Sequence, residues 1–284
     1  MECRWPRDLR CLGGRKGTKT SGEDAPIKVK DLSKVYDSSR GGEIRAIDSI
    51  SFEVRRGEFV SIVGRSGCGK STLLKIISGF ISPTSGSVQV LGRNVDGPVL
   101  GIGQVFQRPT LMPWRTALDN VLLPIELLRL DRRELGDRAT RLFDMVKLRG
   151  FENFLPQELS LGMRHRVSLA RALVHDPEIL VMDEPFGSLD ELTREEISGE
   201  LLGIIESLKK TVIFVTHSVP EAVMLGDRVL VLSSRPSRIL DDVQVDIPRP
   251  RTSSVRSDPK LIAYCERIRA LLGFAESSDK KSRA

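Results

Sequence analysis

A glycine-rich run in the first third of the 284-residue chain constrains the fold more than any other feature. An apolar run, 59–63, precedes it, and a helical pattern from about Lys70 to Ser78 follows it. Glycines in such a loop let backbone N–H groups converge on phosphates, and the helix directs its positive dipole end to the same place. The pattern GxxxxGK followed by Ser or Thr therefore predicts a strand–loop–helix unit that binds a nucleotide. Its residues are Gly64, Arg65, Ser66, Gly67, Cys68, Gly69, Lys70 and Ser71.

Two side chains of this loop suit nucleotide chemistry. Lys70 is expected to bring its ammonium group to the β- and γ-phosphates, and Ser71 to offer its hydroxyl to Mg²⁺. The alternative is a chance glycine-rich turn, which the flanking strand and helix patterns disfavour. Kinases, GTPases and motor proteins share the loop, so other residues must indicate the kind of protein.

Strand and helix patterns alternate after the loop. The runs 179–182 and 212–215 are apolar without strict alternation, as strands buried on both faces are. Helical patterns at 167–174 and 195–208 separate them, and this order predicts an α/β fold with a mainly parallel sheet. Residues 230–247 are expected to supply closing strands. Pro259 to Leu272 is expected to form a final helix whose apolar side comprises Leu261, Ile262, Ile268, Leu271 and Leu272.

The same patterns divide the chain into domains. Residues 1–25 lack apolar periodicity and are predicted to be a disordered extension. We expect a nucleotide-binding domain over 26–247, with a helical subdomain inserted at about 114–165, and a C-terminal helix and tail over 248–284. No stretch approaches the roughly 18–20 apolar residues of a membrane-spanning helix. The N-terminus also lacks the apolar core of a signal peptide, so we expect a cytoplasmic protein.

Two adjacent carboxylates follow the apolar run 179–182. Asp183, at the end of that strand, is suited to hold Mg²⁺ through its water shell. Glu184 is suited to accept a proton from the attacking water. A solvated acidic turn is the alternative, and these two residues alone do not decide between them.

Further motifs resemble those of ATP-binding-cassette (ABC) ATPases over 27–234. The resemblance implies a P-loop ATPase core with a mainly parallel sheet, an N-terminal antiparallel β subdomain and an inserted α-helical subdomain. In chain order the motifs are Tyr36, Val105-Phe106-Gln107, Leu159-Ser160-Leu161-Gly162-Met163, Ser188-Leu189-Asp190 and Thr216-His217-Ser218. We refer to the third as the signature motif and to the fourth as the D-loop.

The resemblance implies ATP and Mg²⁺ as cofactors and a head-to-tail pair of copies. Each ATP then lies between one phosphate loop and the signature motif of the other copy, whose Ser160 and Gly162 N–H contact the γ-phosphate. The implied catalytic residues are Glu184, His217 and Lys70. The implied metal ligands are Ser71, Gln107 and Asp183. The implied nucleotide contacts are Tyr36, which stacks on adenine, the loop residues from Gly64 to Ser71, Thr72, Gln107, Ser160, Gly162 and Asp190.

The signature motif departs from the usual LSGGQ of the family. Leu161 replaces a glycine, Met163 replaces the glutamine, and His165 stands where a second glutamine is common. A regulatory or non-transport ABC ATPase with weakened hydrolysis is therefore an alternative. We expect hydrolysis, because the main catalytic and metal-binding residues are present: Lys70, Asp183, Glu184 and His217.

Three segments are similar to nitrate, sulfonate and taurine importers: 107–121, 183–190 and 248–251. The resemblance implies integral membrane permease subunits, indirectly an extracytoplasmic substrate-binding protein, and a place on the cytoplasmic face of the membrane. The solute would be nitrate, a sulfonate, taurine or a vitamin-precursor heterocycle. The net charge of +6 leaves nucleic acid as an alternative partner. It is disfavoured, because no room exists between Ser71 and Ser160 for the long coiled coil of DNA-repair cassettes.

Overall fold

The computed structural model describes residues 25–37, 42–251 and 253–273. The predicted extension over 1–25 therefore lies outside the described residues, apart from Ala25, and so does the tail from 274. Within the described ranges, no helix combines the length and apolar character that a bilayer crossing needs.

Two sheets form the framework. The first has the strand order β2-β1-β4-β5 and is antiparallel throughout, and the second has the order β10-β9-β3-β8-β7-β6. In the second sheet, neighbouring strands from β9 to β6 are parallel, and only β10 is antiparallel. The expected fold class is confirmed. The strands are β1 Ile27–Asp37, β2 Glu43–Val54, β3 Phe59–Val63, β4 Ser85–Val90, β5 Arg93–Asn94, β6 Ile102–Val105, β7 Ile179–Asp183, β8 Thr211–Thr216, β9 Arg228–Leu232 and β10 Ile239–Gln244.

Helices cover both faces of the parallel sheet. Five of them begin directly after a side chain that accepts a backbone N–H of the first turn, as N-cap residues do. These N-caps are Thr116, Ser160, Asp190, Ser218 and Asp258. The helices are α1 Lys70–Ile77, α2 Ala117–Leu127, α3 Arg132–Met145, α4 Leu161–Leu173, α5 Glu191–Leu208, α6 Val219–Leu225 and α7 Pro259–Leu271.

The helical insertion lies between β6 and β7. The described residues of this stretch form α2, α3, a short 3₁₀ helix over Pro156–Glu158 and α4, without a strand. α4 runs across the predicted boundary at residue 165. Its apolar side packs with those of α2, α3 and α5 into one core cluster that reaches the parallel sheet.

The apolar face of α7 differs from the prediction. Leu261, Cys265 and Ile268 are buried, whereas Ile262 is 47% exposed and Leu271 is 37% exposed. Buried positions three and four residues apart form a single helical stripe, and Ile262 and Leu271 lie beside that stripe. The stripe packs with α6, β9 and β10 into a separate core cluster.

A buried arginine fastens the segment before α7. The Arg251 side chain is 1% exposed and donates hydrogen bonds to the carbonyl oxygens of Val223, Gly226 and Ile247. The described C-terminal segment is therefore tied to the end of α6, the helix that follows His217.

Candidate nucleotide-binding and catalytic site

Three loops at one edge of the parallel sheet form the centre of the site. β3 lies beside β8, and β8 lies beside β7. The glycine-rich loop follows β3, Asp183 ends β7 with Glu184 directly after it, and His217 follows β8. Because the three strands are parallel, their carboxyl ends share an edge, which is where open α/β sheets bind ligands.

The glycine-rich loop has a conformation that needs glycine. Gly67 and Gly69 have positive φ values of 73° and 121°. A Cβ atom on Gly69 would lie only 3.0 Å from the Ala46 carbonyl oxygen. α1 begins at Lys70 directly after this turn, so the unpaired N–H groups of its first turn lie at the loop, where they suit an anion.

Lys70 is held inside the loop. Its side chain is 4% exposed, and its Nζ donates to the Gly64 carbonyl oxygen at 2.9 Å and lies 3.5 Å from Glu184 Oε1. Burial with these partners keeps the ammonium group ordered beside the loop. A phosphate in the loop would therefore meet a positive charge that is already in place.

Ser71 and Asp183 form an oxygen pair that fits a magnesium ion. Ser71 Oγ donates to Asp183 Oδ1 at 3.0 Å. Burial raises the pKa of the Asp183 carboxyl above its ordinary value, and the Ser71 hydrogen bond opposes this shift. Among the described residues, no three His, Cys, Asp or Glu side chains form a metal site by themselves. Mg²⁺ is commonly bound through one or two protein oxygens plus substrate phosphates, so this pair suits a nucleotide-bound ion.

Glu184 and His217 form a second pair beside the first. His217 Nδ1 lies 3.0 Å from Glu184 Oε2, and the Glu184 N–H donates to the Val215 carbonyl oxygen of β8. Glu184 has a φ of 43°, in the left-handed region that non-glycine residues seldom adopt. Such conformations persist where the surroundings enforce them, and they are common at functional sites. The pair can orient a water molecule and accept its proton.

Tyr36 lies next to the start of α1. Its hydroxyl is 3.5 Å from Thr72 Oγ1, and the residue is 38% exposed. Lys34 Nζ lies 5.2 Å from the ring centroid. A half-exposed ring adjoining the glycine-rich loop is positioned to stack on a base whose phosphates occupy that loop.

The remaining predicted residues are placed on other elements of the chain. Ser160 accepts the Met163 N–H as N-cap of α4, and Asp190 accepts the Thr193 N–H as N-cap of α5. Gly162 lies in the first turn of α4. Gln107 is exposed in the segment after β6. Ser160, Gly162 and Asp190 thus lie at helix starts, where backbone N–H groups can meet an anion from another molecule.

Leu161 and Met163 are half-buried and pack against the core cluster of the helical insertion. The Leu161 side chain is therefore directed into its own chain. This placement explains how a leucine is accommodated beside Ser160 and Gly162.

Contacts of α4 and the His217 loop were missed by the sequence reasoning. His165 Nε2 lies 3.2 Å from Ser188 Oγ of the D-loop. Arg171 donates to the Thr110 carbonyl oxygen at 2.7 Å, in the segment after β6. No local pattern signals either contact, because each joins residues far apart in the chain.

A buried glutamate supports the loop that carries His217. Glu221 accepts hydrogen bonds from the hydroxyl groups of Thr216 and Ser198, and burial raises the pKa of its carboxyl. Thr216 Oγ1 accepts the Ser218 N–H at 3.0 Å. His217 therefore lies in a backbone segment that is hydrogen-bonded on both sides.

A phosphate loop after β3, with a magnesium-type oxygen pair and a Glu–His pair on the adjacent parallel strands, is the arrangement of a P-loop ATPase. The family described as ABC transporter matches residues 47–187. The chain belongs to the ABC transporter ATP-binding proteins.

Several relatives extend this match over most of the chain. An ABC transporter ATP-binding protein of Methanocaldococcus jannaschii is 47% identical over 87% of this chain and 91% of its own length. The taurine import ATP-binding protein TauB of Rhizobium johnstonii is 41% identical over 88% of this chain and 97% of its own length. The nitrate import ATP-binding protein NrtD of Synechocystis is 39% identical over 90% of this chain and 98% of its own length.

The fold of this chain is similar to those of solved ABC transporter cassettes. The dimeric structure of a bacterial ABC transporter cassette has a TM-score of 0.69 and 34% identity, over 78% of this chain and 100% of that chain. A dimeric post-hydrolysis state of such a cassette, bound to ADP and Pi, has a TM-score of 0.68 and 33% identity over the same shares.

Proposed function

We propose that this chain is the ATP-hydrolysing subunit of an importer and acts as a homodimer with ATP and Mg²⁺ between its copies. The observation that carries the proposal is the cluster beside the phosphate loop. Ser71, Asp183, Glu184 and His217 lie in two hydrogen-bonded pairs, and Lys70 contacts Glu184.

Each group in the cluster has one role in the proposal. Lys70 binds the β- and γ-phosphates together with the backbone N–H groups of residues 64–72, Thr72 included, and Tyr36 stacks on the adenine. Ser71 and Asp183 hold Mg²⁺, with Gln107 completing its surroundings. The ion, when bound, neutralises charge that develops on the phosphates.

Hydrolysis relies on the Glu184–His217 pair. Glu184 accepts the proton of the attacking water, a step worth roughly 10²–10⁴ in rate. His217, 3.0 Å from the Glu184 carboxylate, keeps that group oriented toward the γ-phosphate side. Lys70 stabilises the negative charge of the phosphoryl group during transfer.

A second copy of the chain completes each site. Ser160, the Gly162 N–H and Asp190 lie at the starts of α4 and α5. Each copy would offer them to the ATP of the other. The dimeric cassette structures among the relatives support this arrangement. The inward packing of Leu161 and Met163 supports active hydrolysis over a purely regulatory role.

The importer role draws on the relatives and on exposed aromatic side chains near Gln107. TauB and NrtD are named as import ATP-binding proteins. Phe80 and Phe106 stack with ring centroids 6.4 Å apart and are 50% and 37% exposed, and Trp114 is 74% exposed. We assign the exposed Phe80–Phe106 pair to contact with the permease. An extracytoplasmic binding protein would deliver the solute, which we propose to be nitrate, a sulfonate, taurine or a vitamin-precursor heterocycle. The chain itself would work at the cytoplasmic face of the membrane. Nucleic acid is not a partner in this proposal.

Glu184→Gln tests the proposal. The amide cannot accept the proton, so hydrolysis should stop while ATP binding persists, and the variant should form a stable dimer in ATP and Mg²⁺. Light scattering and an ATPase assay measure both. Lys70→Ala is the matched control, and it should stay monomeric because it loses phosphate binding. A Glu184→Gln protein that stays monomeric in saturating ATP would contradict the shared site.

A further inference from the structure

We propose that His165 is a positioning residue that couples the signature helix α4 to the D-loop through its hydrogen bond with Ser188. The inference rests on the proposed function, because both segments act on the ATP of the second copy. It concerns a residue that none of the catalytic roles above uses.

The His165 ring is enclosed and makes one hydrogen bond. The residue is 2% exposed, and Nε2 lies 3.2 Å from Ser188 Oγ. Nδ1 is buried and has no hydrogen-bond partner in the described part of the chain. The tautomer with the proton on Nε2 leaves only an acceptor unpaired, so we assign Nε2–H as the donor to Ser188. A buried ring with a single directed hydrogen bond specifies where its partner lies.

The D-loop is otherwise fastened to α5. Asp190 caps α5, and Arg194 Nη2 donates to the Leu189 carbonyl oxygen at 2.8 Å. The His165–Ser188 hydrogen bond adds a connection to a second helix, α4. Ser160 begins that same helix, so the hydrogen bond joins the two segments offered to the neighbouring ATP.

α4 also contacts the segment that contains Gln107. Arg171 is 9% exposed and donates to both the carbonyl and the hydroxyl oxygen of Thr110. One helix therefore contacts the D-loop near its start and the segment after β6 near its end. A shift of α4 would move both contacts. His165 would transmit this movement to Ser188 through their hydrogen bond.

This placement predicts a specific kinetic effect. Loss of the His165–Ser188 hydrogen bond leaves the phosphate loop and Tyr36 unchanged, so ATP binding to one copy should stay within twofold. Turnover depends on the D-loop of the second copy, so kcat should fall roughly 3- to 10-fold, the equivalent of one hydrogen bond.

The experiment measures kcat and KM for ATP with the full chain and five variants, one of them a control. His165→Ala and Ser188→Ala should each lower kcat with KM unchanged, and the double variant should be no slower than either single variant. Ser188 is exposed, so its substitution does not disturb the core. His165→Gln should recover most of the lost turnover, because its amide N–H can reach the same hydroxyl.

His175 offers a matched control. It is a half-buried histidine two residues after the end of α4, and its Nδ1 also has no hydrogen-bond partner in the described part of the chain. His175→Ala tests whether loss of a buried imidazole near α4 is enough to lower kcat. Turnover unchanged in His175→Ala and reduced in Ser188→Ala supports the positioning role. Additive effects of His165→Ala and Ser188→Ala, or an unchanged kcat in Ser188→Ala, would overturn it. Absence of hydrolysis by the unaltered chain would instead overturn the proposed function, and this role with it.

Discussion

Leu161 stands at the start of α4 where the signature motif usually has a glycine. Leu161→Gly tests whether this leucine packs into its own chain or crowds the interface with a second copy. The Leu161 side chain is half-buried against the core cluster of the helical insertion. Removing about half of the transfer free energy of a buried leucine destabilises the fold by about 1 kcal/mol. Glycine in the first turn of a helix adds up to about 1 kcal/mol more. We therefore expect a total loss of about 2 kcal/mol in the free energy of unfolding.

The assays are a thermal melt and ATP turnover with the same preparation. A loss of about 2 kcal/mol should lower the melting temperature by roughly 4–8 °C. Turnover at a temperature well below the melt should change by less than twofold, because Ser160 and the Gly162 N–H keep their places. Leu161→Ala is the control. It should lose only about the 1 kcal/mol of packing and should hydrolyse ATP at the normal rate.

The opposite result would refute this reasoning. If Leu161 instead crowded the interface between two copies, glycine would improve the contact with the γ-phosphate. One donor to a transition state is worth roughly 3 kcal/mol, so partial relief would raise turnover several-fold. A several-fold rise in turnover with an unchanged melting temperature would show that the side chain faces the second copy and not the core.

Two further predictions follow from the site and from α4. Tyr36→Ala should weaken ATP binding by roughly 1–3 kcal/mol, whereas Tyr36→Phe should not, because the hydroxyl only reaches Thr72 at 3.5 Å. Titration with a fluorescent ATP analogue measures this, and equal affinities for all three proteins would assign the stacking elsewhere. Burial, aided by the Arg164 charge, lowers the pKa of His165 from its ordinary 6.5 to about 4. As the pH falls, His165 is therefore protonated in the unfolded chain before it is protonated in the folded chain. The free energy of unfolding should keep its full value above pH 6.5 and decrease by roughly 3 kcal/mol toward pH 4. His165→Gln should lack this component in urea unfolding, and an identical pH dependence for both proteins would contradict the buried neutral imidazole.

The local parts of the site could be predicted from the sequence. The phosphate loop, the Asp183–Glu184 pair and His217 each directly follow an apolar strand, and parallel strands bring their carboxyl ends together without further information. Ser71 and Asp183 meet at 3.0 Å for that reason. The mainly parallel sheet follows from the same alternation of strands and helices.

Contacts set by packing angles could not be predicted in this way. The His165–Ser188 hydrogen bond depends on how α4 lies against the D-loop, and no period in the sequence encodes that angle. The outward position of Ile262 depends on which stripe of α7 meets α6 and β10. The apolar residues of α7 are compatible with two adjacent stripes, and only the partner surface selects the one with Leu261 and Ile268.

The order of strands in the parallel sheet has a consequence for synthesis of the chain. β3, which carries the phosphate loop, is buried along its whole length between β8 and β9. Roughly 150 residues separate the end of β3 from the start of β8, so at about 5–20 residues per second the ribosome needs on the order of 10 s to supply a neighbouring strand. During that interval an apolar strand has no sheet to join, which makes the emerging chain a natural client for chaperones. ATP can stabilise the fold only after β8 has emerged and paired with β3, because a ligand stabilises the state that binds it.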